Sequence, residues 1–236
     1  MAKGKNFIKR ITGWGIGFFI KLMVIFILFS VTQVTFVRYF NPPFTIPMIG
    51  LWVTNLFSSE KEIMPRHEWR DMKDISPLLI KAVMAGEDQR FASHHGFDMV
   101  EMNKAYDDIV KNKTKRARGA STITMQLART LFLWKDRDLA RKALEAYYTV
   151  LLELFLNKTR IMELYLNTVD WGTGIMGAEA ASQNYFKVSA VKVTDYQAAG
   201  MAAVLPNPHK WSPVNPGPYV RTRISTIMGY MGDMHL

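Results

Sequence analysis

The chain has no cysteine, so it has no disulfide framework, and cysteine usage gives no reading of its redox compartment. It has no H-E-x-x-H, and His94 and His95 are consecutive, which points their rings apart; no zinc site is expected. Ser58-Ser-Glu-Lys61 and Ser189-Ala-Val-Lys192 both fit S-x-x-K, but S-D-N and K-T-G are missing, which excludes a penicillin-binding acyl-transfer site. Convincing period-two strand patterns and internal repeats are also lacking. Without a strand or a βαβ unit around it, Gly172-Thr-Gly174-Ile-Met-Gly177 is not a dinucleotide fingerprint; its glycines suit a tight connection. Acidic residues are scarce, at 20 against 30 Lys and Arg, and the net charge of +10 calls for an anionic partner: nucleic acid, a phosphorylated ligand or an anionic lipid surface.

Charge is absent altogether between Lys21 and Arg38. The uncharged run falls short of the ~20 residues that a spanning helix needs, so the span is placed at 15–37 with Lys21 snorkelling to the interface. Lys3, Lys5, Lys9 and Arg10 precede it, which orients the N-terminus to the cytoplasm. The alternative, a cleaved signal peptide, fits poorly because the apolar region is long and no small-x-small site follows. The expected organisation is a basic cytoplasmic N-terminus (1–14), a transmembrane helix (15–37), a linker and membrane-proximal segment (38–62) and one domain (63–236). Asn41-Pro-Pro-Phe-Thr-Ile-Pro47 reads as a stiff extended spacer.

From Ser76 onward the apolar period is that of helices, predicted at Pro77–Asp88, Met99–Lys111, Thr122–Leu133, Asp138–Leu156, Arg160–Asn167, Ile175–Tyr185, Asp195–Val204 and Pro218–Met231. The fold class is therefore mainly α. In the first of these, Ile80, Val83, Met84 and Glu87 share a stripe. A carboxylate at the inner end of an apolar face loses hydration, which raises its pKa toward that of a general acid or base. The same spacing also fits a helix-terminal glutamate reaching water past Gly86. Lys111, Lys113, Lys115, Arg116 and Arg118 form a basic run leading to Ser121, the expected N-cap of the next helix, so free amides and cations meet in an anion site. Thr122, Gln126 and Arg129 fall on one face of that helix. Arg141 and Glu145, four apart, read by spacing alone as a surface ion pair worth a few tenths of a kcal/mol.

Several stretches in fixed order resemble one family. They are Glu87-Asp88-Gln-Arg-Phe91-Ala-Ser-His94-His-Gly96-Phe-Asp98, Gly119-Ala-Ser121-Thr122-Ile-Thr124-Met-Gln126-Leu-Ala-Arg129 and Arg141-Lys142-Ala-Leu-Glu145. Lys158-Thr-Arg-Ile-Met-Glu163-Leu-Tyr165-Leu-Asn167, Gly177 to Phe186 and Ala198 to Pro208 continue the match. From about Ile63 onward the chain resembles the monofunctional biosynthetic peptidoglycan transglycosylases, glycosyltransferase family 51. The resemblance implies a lysozyme-like, two-lobed glycosyltransferase domain in the periplasm, anchored by one helix in the bacterial inner membrane. It implies polymerisation of lipid II onto an undecaprenyl-diphosphate-linked glycan, with inversion to a β-1,4 link.

Carried over residue by residue, Glu87 matches the general base and Glu145 the second catalytic glutamate. Arg129, Arg141 and Lys142 match cations that stabilise the leaving diphosphate. Asp88, Phe91, His94, Ser121, Thr122 and Gln126 match positions that shape the substrate site. The resemblance leaves open a divalent cation, magnesium or manganese, near the donor diphosphate, and other cell-wall synthesis proteins as partners. Two departures stand out. Met125-Gln126 replaces the Gln-Gln of many members, and Arg129-Thr130 replaces a common Lys-Asn. Two rival functions are a glycan-cleaving enzyme on the same fold and a non-catalytic lipid-headgroup module. The first would need neither anion site nor anchor. Nucleic acid is not expected, for no recognition motif is present.

Overall fold

The computed structural model describes residues 2–111, 119–134, 136 and 138–236, with side chains from Ile16 onward. Lys113, Lys115, Arg116, Arg118 and Arg137, together with the side chains of Lys3, Lys5, Lys9 and Arg10, therefore lie outside the described residues. The chain divides into Met1–Phe40 and Asn41–Leu236. The first unit is a single helix, α1 (Ala2–Tyr39). Its stretch Ile16–Tyr39, 24 residues, is long and apolar enough to cross a membrane.

The second unit is mainly α, in agreement with the sequence. It comprises α2 (Ile46–Phe57), α3 (Pro77–Glu87), α4 (Met99–Val110), α5 (Ile123–Phe132), α6 (Leu139–Phe155), α7 (Lys158–Thr168), α8 (Ala178–Phe186), α9 (Asp195–Val204) and α10 (Pro218–Tyr230). Most begin on a side chain that satisfies a free amide. Ser76 accepts from the Leu78 amide with Pro77 in the first turn of α3, Asp138 from Arg141 in α6, and Asn157 from Arg160 in α7. Thr194 and Gln197 form a reciprocal capping box on α9.

Two expectations about the chain need correction. The segment read as an extended spacer ends in α2, because Pro47 falls in the first turn, where its missing N–H costs nothing, and Thr45 caps the helix. A small three-stranded sheet also exists, of order β1–β3–β2. In it β1 (Arg66–His67) runs parallel to β3 (Ile175–Met176), and β3 pairs antiparallel with β2 (Asp170–Gly172) through a bulged register. Strands this short cannot display a period of two. The predicted helix at Ile175 accordingly starts late, at Ala178, because Gly177 has φ +84°. Gly172 and Gly174, at φ +147° and +71°, make the tight connection expected of the glycine pattern.

The core forms around α9, whose residues Ala198 to Val204 are all buried. Alanine and glycine at five of those seven positions leave room for close approach, and α3 and α10 pack on this helix. At Gly86 an added Cβ would lie 3.1 Å from Ile227 Cδ1 of α10, so this last turn of α3 sits tightly against its neighbour. On the other side α5 packs against α6 and α7. The consequence for function is that the C-terminal end of α3, the face of α5 and the side of α10 converge.

Gly177→Ala should be costly on two counts: a left-handed φ, and a Cβ 2.6 Å from the carbonyl oxygen of Asn167, itself a fully buried residue. A loss of about 2 kcal/mol or more is expected in denaturant melting of the detergent-solubilised chain.

Candidate functional site

Glu87 is the last residue of α3, and its side chain is only 10% exposed, so the reading in which it reaches open water is excluded. Both carboxylate oxygens accept hydrogen bonds. Oε2 takes one from Gln126 Nε2 of α5 at 2.9 Å, and Oε1 takes one from Arg223 Nη2 of α10 at 3.0 Å. Arg223 is fixed in turn: Nη2 also donates to the Gly86 carbonyl at 2.8 Å and Nε to the Ala203 carbonyl at 3.2 Å. Gln126 is held at its other end, where Oε1 accepts from the Tyr165 hydroxyl at 3.0 Å. Burial pushes the Glu87 carboxyl above its ordinary value; Gln126 and Arg223 pull it part of the way back, and the neighbouring Asp88 charge adds to the rise.

Asp88 points the other way, into the protein. His94 Nε2 lies 2.9 and 3.0 Å from its two oxygens, and Oδ2 also accepts from the Ile123 amide at 3.0 Å. It thus satisfies a free N–H of α5, whose side-chain cap is Thr122, accepting from the Met125 amide, and not Ser121 as expected. Thr122 Oγ1 also donates to the Gly96 carbonyl at 2.7 Å. Phe91 is fully buried, with the Lys158 ammonium 4.5 Å from its ring centroid. Asp88, Phe91, His94 and Thr122 are therefore gathered behind Glu87, where they fix α3 against the start of α5. His95, exposed where His94 is buried, shows the expected divergence of the pair.

A second cluster lies at the start of α6. Glu145 is 1% exposed and Arg141 7%, so this is a buried ion pair and not the surface pair that spacing alone suggested. Arg141 Nη1 donates to Glu145 Oε2 at 2.8 Å, and Lys142 Nζ donates to Oε1 at 2.6 Å. Lys142, with its side chain 46% exposed, also reaches Ser121 Oγ at 3.5 Å, beside the N-terminus of α5. Arg129 is half-buried one turn beyond Gln126 on the same helix and makes no ion pair among the described residues. Helix α5 thus carries Gln126 for the carboxylate and Arg129 along its length, with the Arg141–Lys142–Glu145 group at its N-terminal end.

Both departures from the family pattern have local explanations. Met125 is buried, so this position packs in the core. Thr130 Oγ1 donates to the Gln126 carbonyl at 2.9 Å, a bond within the helix. Among the described residues, one group brings candidate metal ligands together: Asp88, His94 and Asp98, with one ligand atom each within 4.8 Å of the others. Its carboxylates are already engaged, Asp88 as described and Asp98 capping α4 through the Val100 and Glu101 amides.

Two residues that contact the site, Arg223 and Tyr165, carry no role in the sequence reading. Arg223 sits in a helix without a recognisable motif. Tyr165 lies in a matched stretch but looks like an ordinary core aromatic.

A sheltered carboxylate beside a group of cations, on a mainly helical domain, suits an enzyme that transfers a group by acid–base chemistry. The comparisons make this specific. The model of the Transglycosylase family matches residues 56–232. Curated proteins named biosynthetic peptidoglycan transglycosylase are similar to the chain. That of Xanthomonas campestris pv. campestris (strain B100) is 42% identical over 198 residues, covering 84% of this chain and 80% of the relative. That of Caulobacter vibrioides is 48% identical over 161 residues, covering 68% and 69%. The Pseudomonas aeruginosa protein is 40% identical over 218 residues, covering 91% of each. The chain belongs to the transglycosylase family.

Glu145→Ala would leave the Arg141 guanidinium buried without its counter-charge. Loss of about 3 kcal/mol of stability is expected in denaturant melting, against a smaller loss for Glu145→Gln, which keeps an acceptor.

Proposed function

We propose that this transglycosylase polymerises peptidoglycan from lipid II, with Glu87 as the general base. The observation that carries the reading is the state of Glu87: desolvated, yet accepting hydrogen bonds from two donors on two other helices. Two donors favour the carboxylate over the acid, so the group is set to receive a proton. The Glu87 carboxylate takes the proton from the 4-hydroxyl of the acceptor sugar as that oxygen attacks C1 of the donor glycan. The C1–oxygen bond to undecaprenyl diphosphate breaks, the bonding pair leaves with the diphosphate, and the new β-1,4 link forms with inversion.

The leaving diphosphate gains negative charge, and stabilising it is the larger part of the barrier reduction in chemistry of this kind. Arg129 and Lys142 are the cations suited to meet it, since one lacks an ion-pair partner among the described residues and the other is half exposed. Arg141 is committed to Glu145, and Glu145 spends both oxygens on Arg141 and Lys142. In this reading Glu145 aims the cations and moves no proton. Ser121 stands beside Lys142 at the same end of α5. A magnesium or manganese ion at the diphosphate would add to the same charge neutralisation.

Lipid-borne donor and acceptor explain a membrane tether. The proposed placement has the N-terminus in the cytoplasm, α1 in the bacterial inner membrane and residues 63–236 as the periplasmic catalytic domain. Helix α2 supports membrane contact by the intervening segment, for Ile49, Trp52, Val53, Leu56 and Phe57 are all exposed on it. A glycan-cleaving enzyme would need neither the tether nor the cations.

Incubating labelled lipid II with the full chain should give lengthening glycan, and Glu87→Gln should cut turnover about a thousandfold while retaining lipid II binding. Shortening of finished glycan by the unvaried chain, or unimpaired turnover by the variant, would overturn the reading. Arg129→Met should lower turnover about a hundredfold. The pH profile should show an acid limb above the ordinary carboxylate range. The sign follows from the role: the base works deprotonated, burial raises its pKa, and turnover is lost as pH falls through that raised value. Arg223→Met removes a charge that favours the carboxylate and should move the limb to higher pH.

A further inference from the structure

We infer that Tyr165 is a positioning residue for the reaction, acting on Glu87 through the side-chain amide of Gln126. The inference rests on Glu87 being the base, and adds how its orientation is maintained. Tyr165 is 1% exposed on α7, and its hydroxyl meets Gln126 Oε1 at 3.0 Å. Gln126 Nε2 meets Glu87 Oε2 at 2.9 Å. Residues from three helices thus form one chain of donors: phenol to amide, amide to carboxylate.

The amide is the adjustable link. Gln126 is half-buried and its long side chain has several rotamers, so one held end would not define where its N–H groups point. The tyrosine holds the other end. With the hydroxyl gone, the amide oxygen loses its donor in a place where an unpaired carbonyl is costly, and the half-exposed side chain can turn that oxygen to water. The turn would carry Nε2 away from Glu87. Donation into the amide oxygen also polarises the amide and strengthens the hydrogen bond that it gives.

The phenol is suited to this work. Burial and the charges of Glu87 and Asp88 push its pKa well up, partly opposed by Arg129, so it stays a donor at any working pH. The groups facing Glu87 are Arg223 from α10 and Gln126 from α5; the adjoining Asp88, turned away, acts on it through its charge, with Tyr165 and Arg129 at the next remove. Helix α9 enters through the Ala203 carbonyl that holds Arg223. Removing one donor from Glu87 while Arg223 stays should make the carboxylate easier to protonate without abolishing it.

The test compares the full chain with Tyr165→Phe, Gln126→Asn and the double variant, as lipid II turnover against pH. Tyr165→Phe should move the acid limb to higher pH, lowering turnover about five- to tenfold on that limb and within about twofold at its alkaline plateau. Gln126→Asn, at a half-exposed position and too short to span both partners, should move the limb in the same direction even if the phenylalanine variant does not fold. The double variant should move it no further than Gln126→Asn alone. A limb that stays in place, a loss equal at every pH, or additive shifts would overturn the inference. Infrared titration separates it from the assignment of the base. The protonated-carboxyl band that disappears in Glu87→Gln should titrate at higher pH in the tyrosine or glutamine variant whether or not turnover depends on Glu87, and an unmoved band would overturn it.

Discussion

Everything at the centre of this molecule depends on keeping one carboxylate out of water and still ionisable. Burial alone would neutralise Glu87, since a charge without hydration or partners is expensive in a protein interior. Arg223 and Gln126 restore part of what hydration supplied, each from a different helix. The carboxylate is thus held between two opposed influences. The tight fit of α3 against α10 at Gly86, and of both against the small residues of α9, fixes the donors.

The second charged group shows a different use of burial. Arg141, Lys142 and Glu145 make a compact cation-rich cluster in which the acidic member is the most sheltered. Removing one partner from such a cluster costs far more than the pair contributes over a well-packed apolar alternative, so its presence argues for arrangement of charge more than for stability. Capping ties this cluster to the carboxylate. Asp88 and Thr122 organise the start of α5, Lys142 reaches Ser121 there, and Gln126 sits one turn into the same helix. One short helix sets the spacing between the sheltered carboxylate and the cation-rich cluster.

Much of the fold was legible beforehand because its signals are local. Ser76-Pro77, Asp138, Asn157 and Thr194 announce helix starts through hydrogen bonds that reach two or three residues on, and those helices lie within two residues of expectation. What was misread is local in another way. Pro47 looked like a breaker because its position relative to a helix start depends on Thr45 being able to cap. The strands at 66–67, 170–172 and 175–176 are too short to carry a period, and the first pairs with the last across about a hundred positions of sequence. Ser121 and Thr122 are both capping residues by type, serine the better of the two; the Asp88 and Gly96 contacts go with the latter.

The sequence by itself determined the mainly helical class, the membrane-length apolar helix, the family and the identity of Glu87 as a residue on an apolar stripe. These rest on periodicity, capping chemistry and ordered motifs, all of which act over a few residues or are read letter by letter. Only the tertiary structure decided that Glu87 is closed off, that Arg141 and Glu145 are buried, and that Arg223 and Tyr165 belong to the site. The reason is physical: desolvation and charge pairing depend on which helices close over a group. Arg223 stands 136 positions from the carboxylate it holds. No spacing rule links two such residues; only the packing of α3, α9 and α10 brings them together.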